Sequence, residues 1–210
     1  MYKPKNIITI QHPESIHHTN GMIGSWTDWE LTEKGKQQAV NIANKLKLEL
    51  EDKKQVIYCS TLIRTKQTAE IVGEILNAKI ILTDALKERS LGRAIGKSVK
   101  WLKENIEKEE VTVYDRCFSD GESRSDVWKR LLPFYNKILN EDTENIMLIS
   151  HGDTLSIFNA LWLDLEIEQL NKINLYGVSG GVSFLYQTSS GKRIIKRSVS
   201  YTHLTLPTKA

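Results

Sequence analysis

The chain has 210 residues, of which 40% are hydrophobic and 26% are charged, and its formal net charge is +3. A chain of this length and composition forms a core without disulfide or metal cross-links. Its basic residues are dispersed, so we expect neither nucleic acid nor a membrane as a partner. Cys59 and Cys117 form no recognisable pair, and no apolar run suits a signal peptide or a membrane span. We therefore expect a cytoplasmic protein.

The first part of the chain alternates short β-branched runs with amphipathic segments, which predicts alternating strands and helices. In chain order the predicted elements are a strand at 6–11, a polar loop at 14–30, a helix that begins after Thr32, a strand at 55–59, a helix at 64–76 and a strand at 79–82.

Residues 84–144 break this alternation, and we interpret them as an insertion or cap over the site. They contain a helix after Ser98 and another from about 123 to 139. A strand at 145–150, a helix at 154–163 and two strands at 182–187 and 193–199 follow. This order predicts an α/β fold, a three-layer sandwich with a mainly parallel central sheet, as a single domain over residues 1–199.

The tail from Ser200 to Ala210 has threonine at alternate positions and no evident partner segment. It resembles the translated sequencing-adapter tails of unrelated gene models. We therefore treat its origin as doubtful and leave His203 out of the candidate site.

Chemically active side chains gather where four predicted strands end. They are Gln11 and His12, the segment Ser60–Arg64, Glu88, and the segment His151–Asp153. The carboxyl ends of parallel strands meet at one edge of a sheet, where ligands bind. A lone histidine after a strand is more often structural, but four such groups predict a site.

These residues match the needs of phosphoryl transfer. A neutral imidazole such as His12 is a suitable nucleophile, and Arg64 suits the phosphoryl oxygens. The helix that begins near His151 offers N–H donors to an anion, and Glu88 is a candidate acid for the leaving oxygen.

Six segments resemble the histidine phosphatases, a family that includes the cofactor-dependent phosphoglycerate mutases. The segment QHPES at 11–15 is similar to the family's Arg-His-Gly-Glu-Ser. The others are 26–35 (WTDWELTEKG), 60–69 (STLIRTKQTA), 86–92 (LKERSLG), 121–134 (GESRSDVWKRLLPF) and 150–155 (SHGDTL). The resemblance covers about residues 7–187.

The resemblance implies the family's α/β sandwich and a phosphatase that hydrolyses small phosphomonoesters. It makes His12 the phosphorylated nucleophile and Glu88 the proton donor, with Arg64 and His151 holding the phosphoryl oxygens. The expected substrate-binding residues are Gln11, Ser15, His18, Gly24, Ser25, Arg89 and Gly152. We expect no metal, no cofactor and a small phosphorylated substrate as partner, and a homodimer stays open.

The sequence departs from the family at several positions in the site. Gln11 replaces the usual arginine and carries no charge, and Pro13 replaces a glycine and lacks an N–H. His17 and His18 replace a Trp-Asn pair. Our hypothesis is that a protonated His17 or His18 compensates for the charge missing at Gln11.

Three alternatives stay open. A mutase would need a cationic pocket for a second phosphate, which the loop around Arg89 does not suggest. A catalytically weakened module could bind a phosphate ester or a protein. A metal site at His17 and His18 is disfavoured, because adjacent residues of an extended segment point in opposite directions.

Overall fold

The computed structural model describes residues 2–50 and 53–202. Its single sheet contains six strands in the order β3-β2-β4-β1-β5-β6. The strands are β1 (Lys5–Gln11), β2 (Val56–Ser60), β3 (Lys79–Thr83), β4 (Asn145–Ser150), β5 (Gly181–Gln187) and β6 (Arg193–Ser200). Strands β1 to β4 are parallel, β5 pairs antiparallel with β1, and β6 pairs antiparallel with β5. The predicted mainly parallel sheet is thus confirmed.

The described ranges contain five α-helices, four of which cover the two faces of the sheet. They are α1 (Glu33–Leu50), α2 (Ile63–Leu76), α3 (Val99–Asn105), α4 (Arg124–Asn140) and α5 (Gly152–Trp162). Of these, α1, α2, α4 and α5 form the layers, and the short α3 lies outside them. Side chains of a strand alternate between faces. Thus Ile8 packs with α1 and α2, whereas Ile7 packs with α4 and α5. The result is the predicted three-layer sandwich, and no helix in the described ranges is long and apolar enough to span a membrane.

The predicted cap at 84–144 includes a helix, α4, that belongs to the sandwich itself. Helix α4 buries Val127, Leu131 and Ile138 against the central sheet, so it forms part of a sandwich layer. Residues 87–123 contain α3, a single turn at Gly92–Ala94 and irregular backbone. They share a small core with Ile23 of the loop after β1, formed around Ala94 and Phe118. This narrower segment is called the cap below.

The first residues of the predicted tail belong to the fold. Ser200 pairs with Gly181 as the last residue of β6, which corrects the expectation that the tail has no partner. Tyr201 is buried, and its hydroxyl donates to Glu49 at 2.8 Å. Residues 203–210, including His203, lie outside the described residues.

The first turn of α1 fixes the loop that follows β1. The Thr32 hydroxyl accepts from the Gly35 N–H at 3.0 Å and donates to the Glu14 carboxylate at 2.8 Å. The Glu14 carbonyl oxygen lies so close to Gly35 that a Cβ there would be 1.8 Å from it. Glycine at position 35 therefore lets α1 approach the backbone two residues after His12.

We expect Gly35→Ala to lower the free energy of unfolding by about 1–3 kcal/mol, because helix α1 and the loop at Glu14 must separate. Urea denaturation measures this change. Gly73→Ala is the matched control, since the nearest atom there is Cδ1 of the flexible Ile80 side chain, at 2.9 Å. Alanine also favours the helix by up to about 1 kcal/mol. Equal destabilisation by both substitutions would contradict a specific contact at Glu14.

Candidate active site

The carboxyl ends of β1, β2 and β4 bring the predicted groups together. Strands β1 and β4 pair with Gln11 opposite Ser150, so the next residues, His12 and His151, leave the sheet side by side. Their ring centroids lie 5.2 Å apart, and both side chains are buried. The structure therefore brings the two predicted histidines into one site, while their chemical roles stay predictions.

His12 is held in one tautomer. Its Nδ1 lies 2.8 Å from the Pro13 carbonyl oxygen, which accepts hydrogen bonds but cannot donate them, so Nδ1 carries the proton. Its Nε2 accepts from Nε of Arg64 at 3.2 Å and therefore keeps a lone pair. Burial, with a smaller effect of the Arg64 charge, holds the pKa of His12 well below its usual range. The ring is therefore neutral and its Nε2 is a potential nucleophile.

Arg64 is almost completely buried, with 1% of its surface exposed. Its two terminal nitrogens donate to the carbonyl oxygens of Thr27 and Ser25, each at 2.8 Å. Ser25 has a φ of 32°, and this uncommon backbone conformation belongs to the loop that supplies both carbonyls. Burial lowers the pKa of Arg64 to about 10, which leaves it protonated at neutral pH.

Ser60 orients His151. The Ser60 Oγ accepts from the Leu62 N–H at 3.3 Å and lies 2.8 Å from Nε2 of His151. If its hydroxyl donates to Nε2, the proton of the neutral ring is on Nδ1. That Nδ1 is buried and has no protein partner in the structure. His151 thus offers a free N–H donor, which suits the predicted contact with a phosphoryl oxygen.

His17 and His18 both lie beside His12, although the sequence suggested that adjacent side chains would diverge. Residues Ile16–His18 form a single 3-10 turn, so the two rings do not diverge as they would in an extended segment. Their centroids lie 5.7 and 5.5 Å from that of His12. The His18 Nδ1 accepts from the Ser15 N–H at 3.1 Å, and Ser15 Oγ lies 2.8 Å from Nδ1 of His17. When neutral, His18 therefore carries its proton on Nε2.

The charge state of these rings opposes the compensation hypothesis. Burial, followed by the neighbouring His18 and Arg64, lowers the pKa of His17 to about 3. Burial and Arg64 also lower the pKa of His18. Both are neutral in the free protein at neutral pH, which does not favour the expected replacement of the missing cation; that hypothesis stays a prediction. His17 and His18 therefore offer hydrogen bonds from uncharged imidazole rings.

His12, His17 and His18 could in principle hold a metal ion, because one nitrogen of each lies within 4.8 Å of the others. However, the Ser15 N–H already donates to the Nδ1 lone pair of His18, and the buried Arg64 guanidinium faces Nε2 of His12. The buried Arg64 charge also repels a cation. The arrangement thus fits an anion better than a metal ion, and metal-free chemistry stays a prediction.

Glu88, the predicted proton donor, borders the site, and this role stays a prediction. Its carboxyl group accepts from the backbone N–H of Arg89 at 2.9 Å and, at the start of α5, from those of Thr154 and Asp153 at 3.3 and 3.4 Å. Burial, and then the neighbouring Asp153 charge, raise the pKa of Glu88 to about 7. The helix start therefore faces this carboxyl group, whereas the sequence predicted donors to the phosphoryl group there.

Arg89 is less available than predicted. Its Nε donates to Asp153 at 2.9 Å, and Nη1 donates to Glu110. The Asp153 carboxylate also accepts from the Tyr176 hydroxyl. Since two carboxylates hold its guanidinium, Arg89 adds little free positive charge to the site.

Of the remaining predicted binding residues, Gly24 and Ser25 line the same cavity as His17, whereas Gln11 lines a separate cavity. The Gln11 amide lies near Gly152 and Gly177, and its buried Oε1 has no protein partner in the structure. A Cβ at Gly24 would lie 2.8 Å from Nε2 of His17. The Ser25 Oγ donates to the Arg89 carbonyl at 2.9 Å, which joins the two loops.

Sequence reasoning missed the supporting residues. Ser60, Thr27 and Asp153 orient or tune the site, although none was assigned a role. Ser60 and Thr27 lie inside the quoted segments, but their roles depend on which backbone and ring atoms meet in three dimensions. The sequence offered one signal: Ser60, Thr27 and Asp153 all lie in segments that resemble the family.

Comparison with known proteins identifies related families and folds. The family model for the histidine phosphatase superfamily (branch 1) matches residues 7–199. A 2,3-bisphosphoglycerate-dependent phosphoglycerate mutase from Bartonella bacilliformis is 24% identical over 205 residues, covering 93% of this chain and 98% of that protein. The corresponding mutase from Rhizobium meliloti is 25% identical over 92% and 94% of the two chains.

Solved structures with the same fold include phosphatases. Bacillus stearothermophilus YhfR superposes with a TM-score of 0.82 at 23% identity, over 95% of this chain and 100% of that chain. A mycobacterial glucosyl-3-phosphoglycerate phosphatase superposes with a TM-score of 0.74 at 18% identity, over 92% and 98% of the two chains.

We expect a carbon NMR titration of the Glu88 carboxyl group to give a pKa near 7. Asp153→Asn should lower this pKa, because it removes a neighbouring negative charge and leaves Arg89 without that ion pair. Asp142→Asn, a substitution of an exposed residue paired with Lys3, is the control and should leave the Glu88 titration unchanged. A Glu88 pKa near the ordinary value of about 4.3 would contradict this picture.

Proposed function

The chain belongs to branch 1 of the histidine phosphatase superfamily, and from this membership we propose that it hydrolyses small phosphomonoesters through a phosphohistidine at His12. The observation that carries the proposal is the state of His12. Its Nε2 keeps a lone pair beside a buried guanidinium, so a nucleophile and a phosphate-binding cation lie together. An acid with a pKa near 7, Glu88, borders the same site.

In the first step, Nε2 of His12 attacks phosphorus and the bond from phosphorus to the leaving oxygen breaks. Arg64 turns its Nε from His12 to a phosphoryl oxygen, and His151 donates from Nδ1. The leaving oxygen takes the proton of Glu88, so a neutral alcohol departs. Burial keeps the imidazole neutral at neutral pH, and burial together with the Asp153 charge raises the pKa of Glu88 to about 7, so part of Glu88 is protonated there.

In the second step, water attacks the phosphohistidine and gives its proton to the Glu88 carboxylate. The bond from phosphorus to nitrogen breaks, which restores the His12 lone pair and releases inorganic phosphate. Glu88 regains its proton, so the cycle closes without a metal ion, and we propose that the reaction is metal-independent.

Mutase activity is the second candidate, because the curated relatives named above are phosphoglycerate mutases at 24–25% identity. A mutase must hold a second acidic group of its substrate in a cationic pocket. The engagement of Arg89 by Asp153 and Glu110 favours hydrolysis over transfer. A weakened binding module is the third candidate, because Gln11 and Pro13 depart from the family pattern.

We expect His12→Ala to abolish turnover of p-nitrophenyl phosphate, because no other histidine combines a free Nε2 lone pair with the Arg64 contact in the described site. Rapid quench of the wild type with labelled substrate should trap an acid-labile, alkali-stable adduct. His18→Gln is the matched control and should still form the adduct at a lower rate. Undiminished turnover by His12→Ala would show that the proposal is wrong.

Glu88→Gln should slow alkyl phosphates by about 10²–10⁴-fold, the usual contribution of a general acid, and p-nitrophenyl phosphate far less. The nitrophenolate leaving group needs little protonation, whereas an alkoxide does. Steady-state kinetics on both substrates provide the measurement. An equal loss on the two substrates would assign Glu88 to binding and not to proton transfer.

A further inference from the structure

A cavity of about 440 Å³ adjoins the catalytic residues on the side of the cap. His17, His18 and Glu88 form its inner border, so a group bonded to the phosphoryl oxygen would occupy it. This volume suits a leaving group larger than a simple alcohol. The chemistry of its walls therefore bears on which phosphomonoester the site accepts.

The outer wall of this cavity is apolar. Five side chains form it, namely Met22, Ile23, Leu91, Val99 and Leu102. Val99 and Leu102 lie three residues apart on α3 and so share one face of that helix. Val99 is 40% exposed in this concave surface, where water would contact it in the free protein. Burial of such a surface favours binding of an apolar group.

The wall is also fixed in place. The Val99 N–H donates to the Gly21 carbonyl at 2.9 Å, and the Ile23 N–H donates to the Lys97 carbonyl at 3.0 Å. The Ser98 hydroxyl caps α3 by accepting from the Trp101 N–H at 3.0 Å. The cap and the loop carrying His17 and His18 thus form the cavity together.

The ionisable groups of the cavity offer no free cation. Arg89 pairs with Asp153 and Glu110, and the lowered pKa values of His17 and His18 leave both rings neutral. Glu88 and Asp153 are acidic. A leaving group with a carboxylate or a second phosphate would therefore lose hydration without gaining a charge partner.

We propose that the preferred substrates are phosphate monoesters of apolar, uncharged alcohols, whose hydrocarbon part lies against Val99, Leu102 and Leu91. This substrate preference rests on the proposed phosphomonoester hydrolysis. It means that the cap favours substrates with an apolar leaving group and disfavours those with a second anionic group.

A nearby arginine, Arg124, could instead bind an anionic leaving group. Arg124 lines a separate cavity of about 210 Å³ that shares the Arg89 side chain, and its buried Nε has no protein partner in the structure. A substrate with a distal anion could reach it only if Arg89 moved away from Glu110. Preference for anionic leaving groups would therefore indicate this second arrangement.

The test compares n-hexyl phosphate with 5-carboxypentyl phosphate, which differ at the distal end and share a leaving-group chemistry. We expect kcat/KM to favour n-hexyl phosphate by at least roughly 10-fold. It should also exceed that of ethyl phosphate, by roughly 4-fold for each methylene that becomes buried. Equal values, or a preference for the carboxylate, would overturn the inference.

Val99→Lys should reverse this preference, because it replaces part of the apolar wall with a free cation. Ile106→Lys is the matched control, since Ile106 ends the same helix with 41% exposure but does not line the cavity, and it should leave the ratio unchanged. A ratio unaffected by Val99→Lys would contradict the assigned wall.

Turnover of p-nitrophenyl phosphate separates the two proposals. Retained turnover and phosphohistidine formation, with no selectivity among the alkyl esters, would disprove only the substrate class. If the wild-type protein shows neither turnover of p-nitrophenyl phosphate nor a phosphohistidine, the proposed hydrolysis itself is disproved.

Discussion

The buried guanidinium of Arg64 is the constraint around which the site is organised. A charge with 1% exposure requires polar partners, and the carbonyl oxygens of Ser25 and Thr27 supply them. These carbonyls belong to the loop after β1, so the loop must fold back over α2. Burial lowers the pKa of His12, His17 and His151, and the Arg64 charge lowers it further. The buried site thus keeps the nucleophile neutral, and its cation creates an affinity for anions.

Much of the fold could be predicted because it depends on local patterns. The β-branched run at 6–11 and the capping residue Thr32 placed β1 and α1 within one or two residues of their observed bounds. Parallel strands then made His12 and His151 neighbours through the pairing of Gln11 with Ser150. The cap boundary was harder, because whether α4 covers the sheet or the site depends on tertiary packing.

The electrostatic details of the site could not be predicted, because they arise from atoms far apart in the sequence. The tight turn at Ile16–His18 turned two supposedly divergent rings toward His12. The contacts of Arg89 with Glu110 and Asp153 join two segments of the cap to the start of α5, and they engage a cation that the sequence had placed among the binding residues. The pKa of Glu88 likewise depends on burial and on Asp153, which one sequence does not reveal.

The replacement of the family's arginine by Gln11 acquires a physical explanation from these neutral groups. A hydrogen bond from a charged donor contributes about 1.5–3 kcal/mol and one from a neutral donor about 0.5–1.5 kcal/mol. Two neutral donors therefore approach the contribution of one lost guanidinium. His18 through Nε2 and His151 through Nδ1 are placed to act as such donors. The neutral rings of His18 and His151 already carry these N–H donors, so they can donate at neutral pH. Glu88 still retains part of its proton at that pH, because its pKa is about 7.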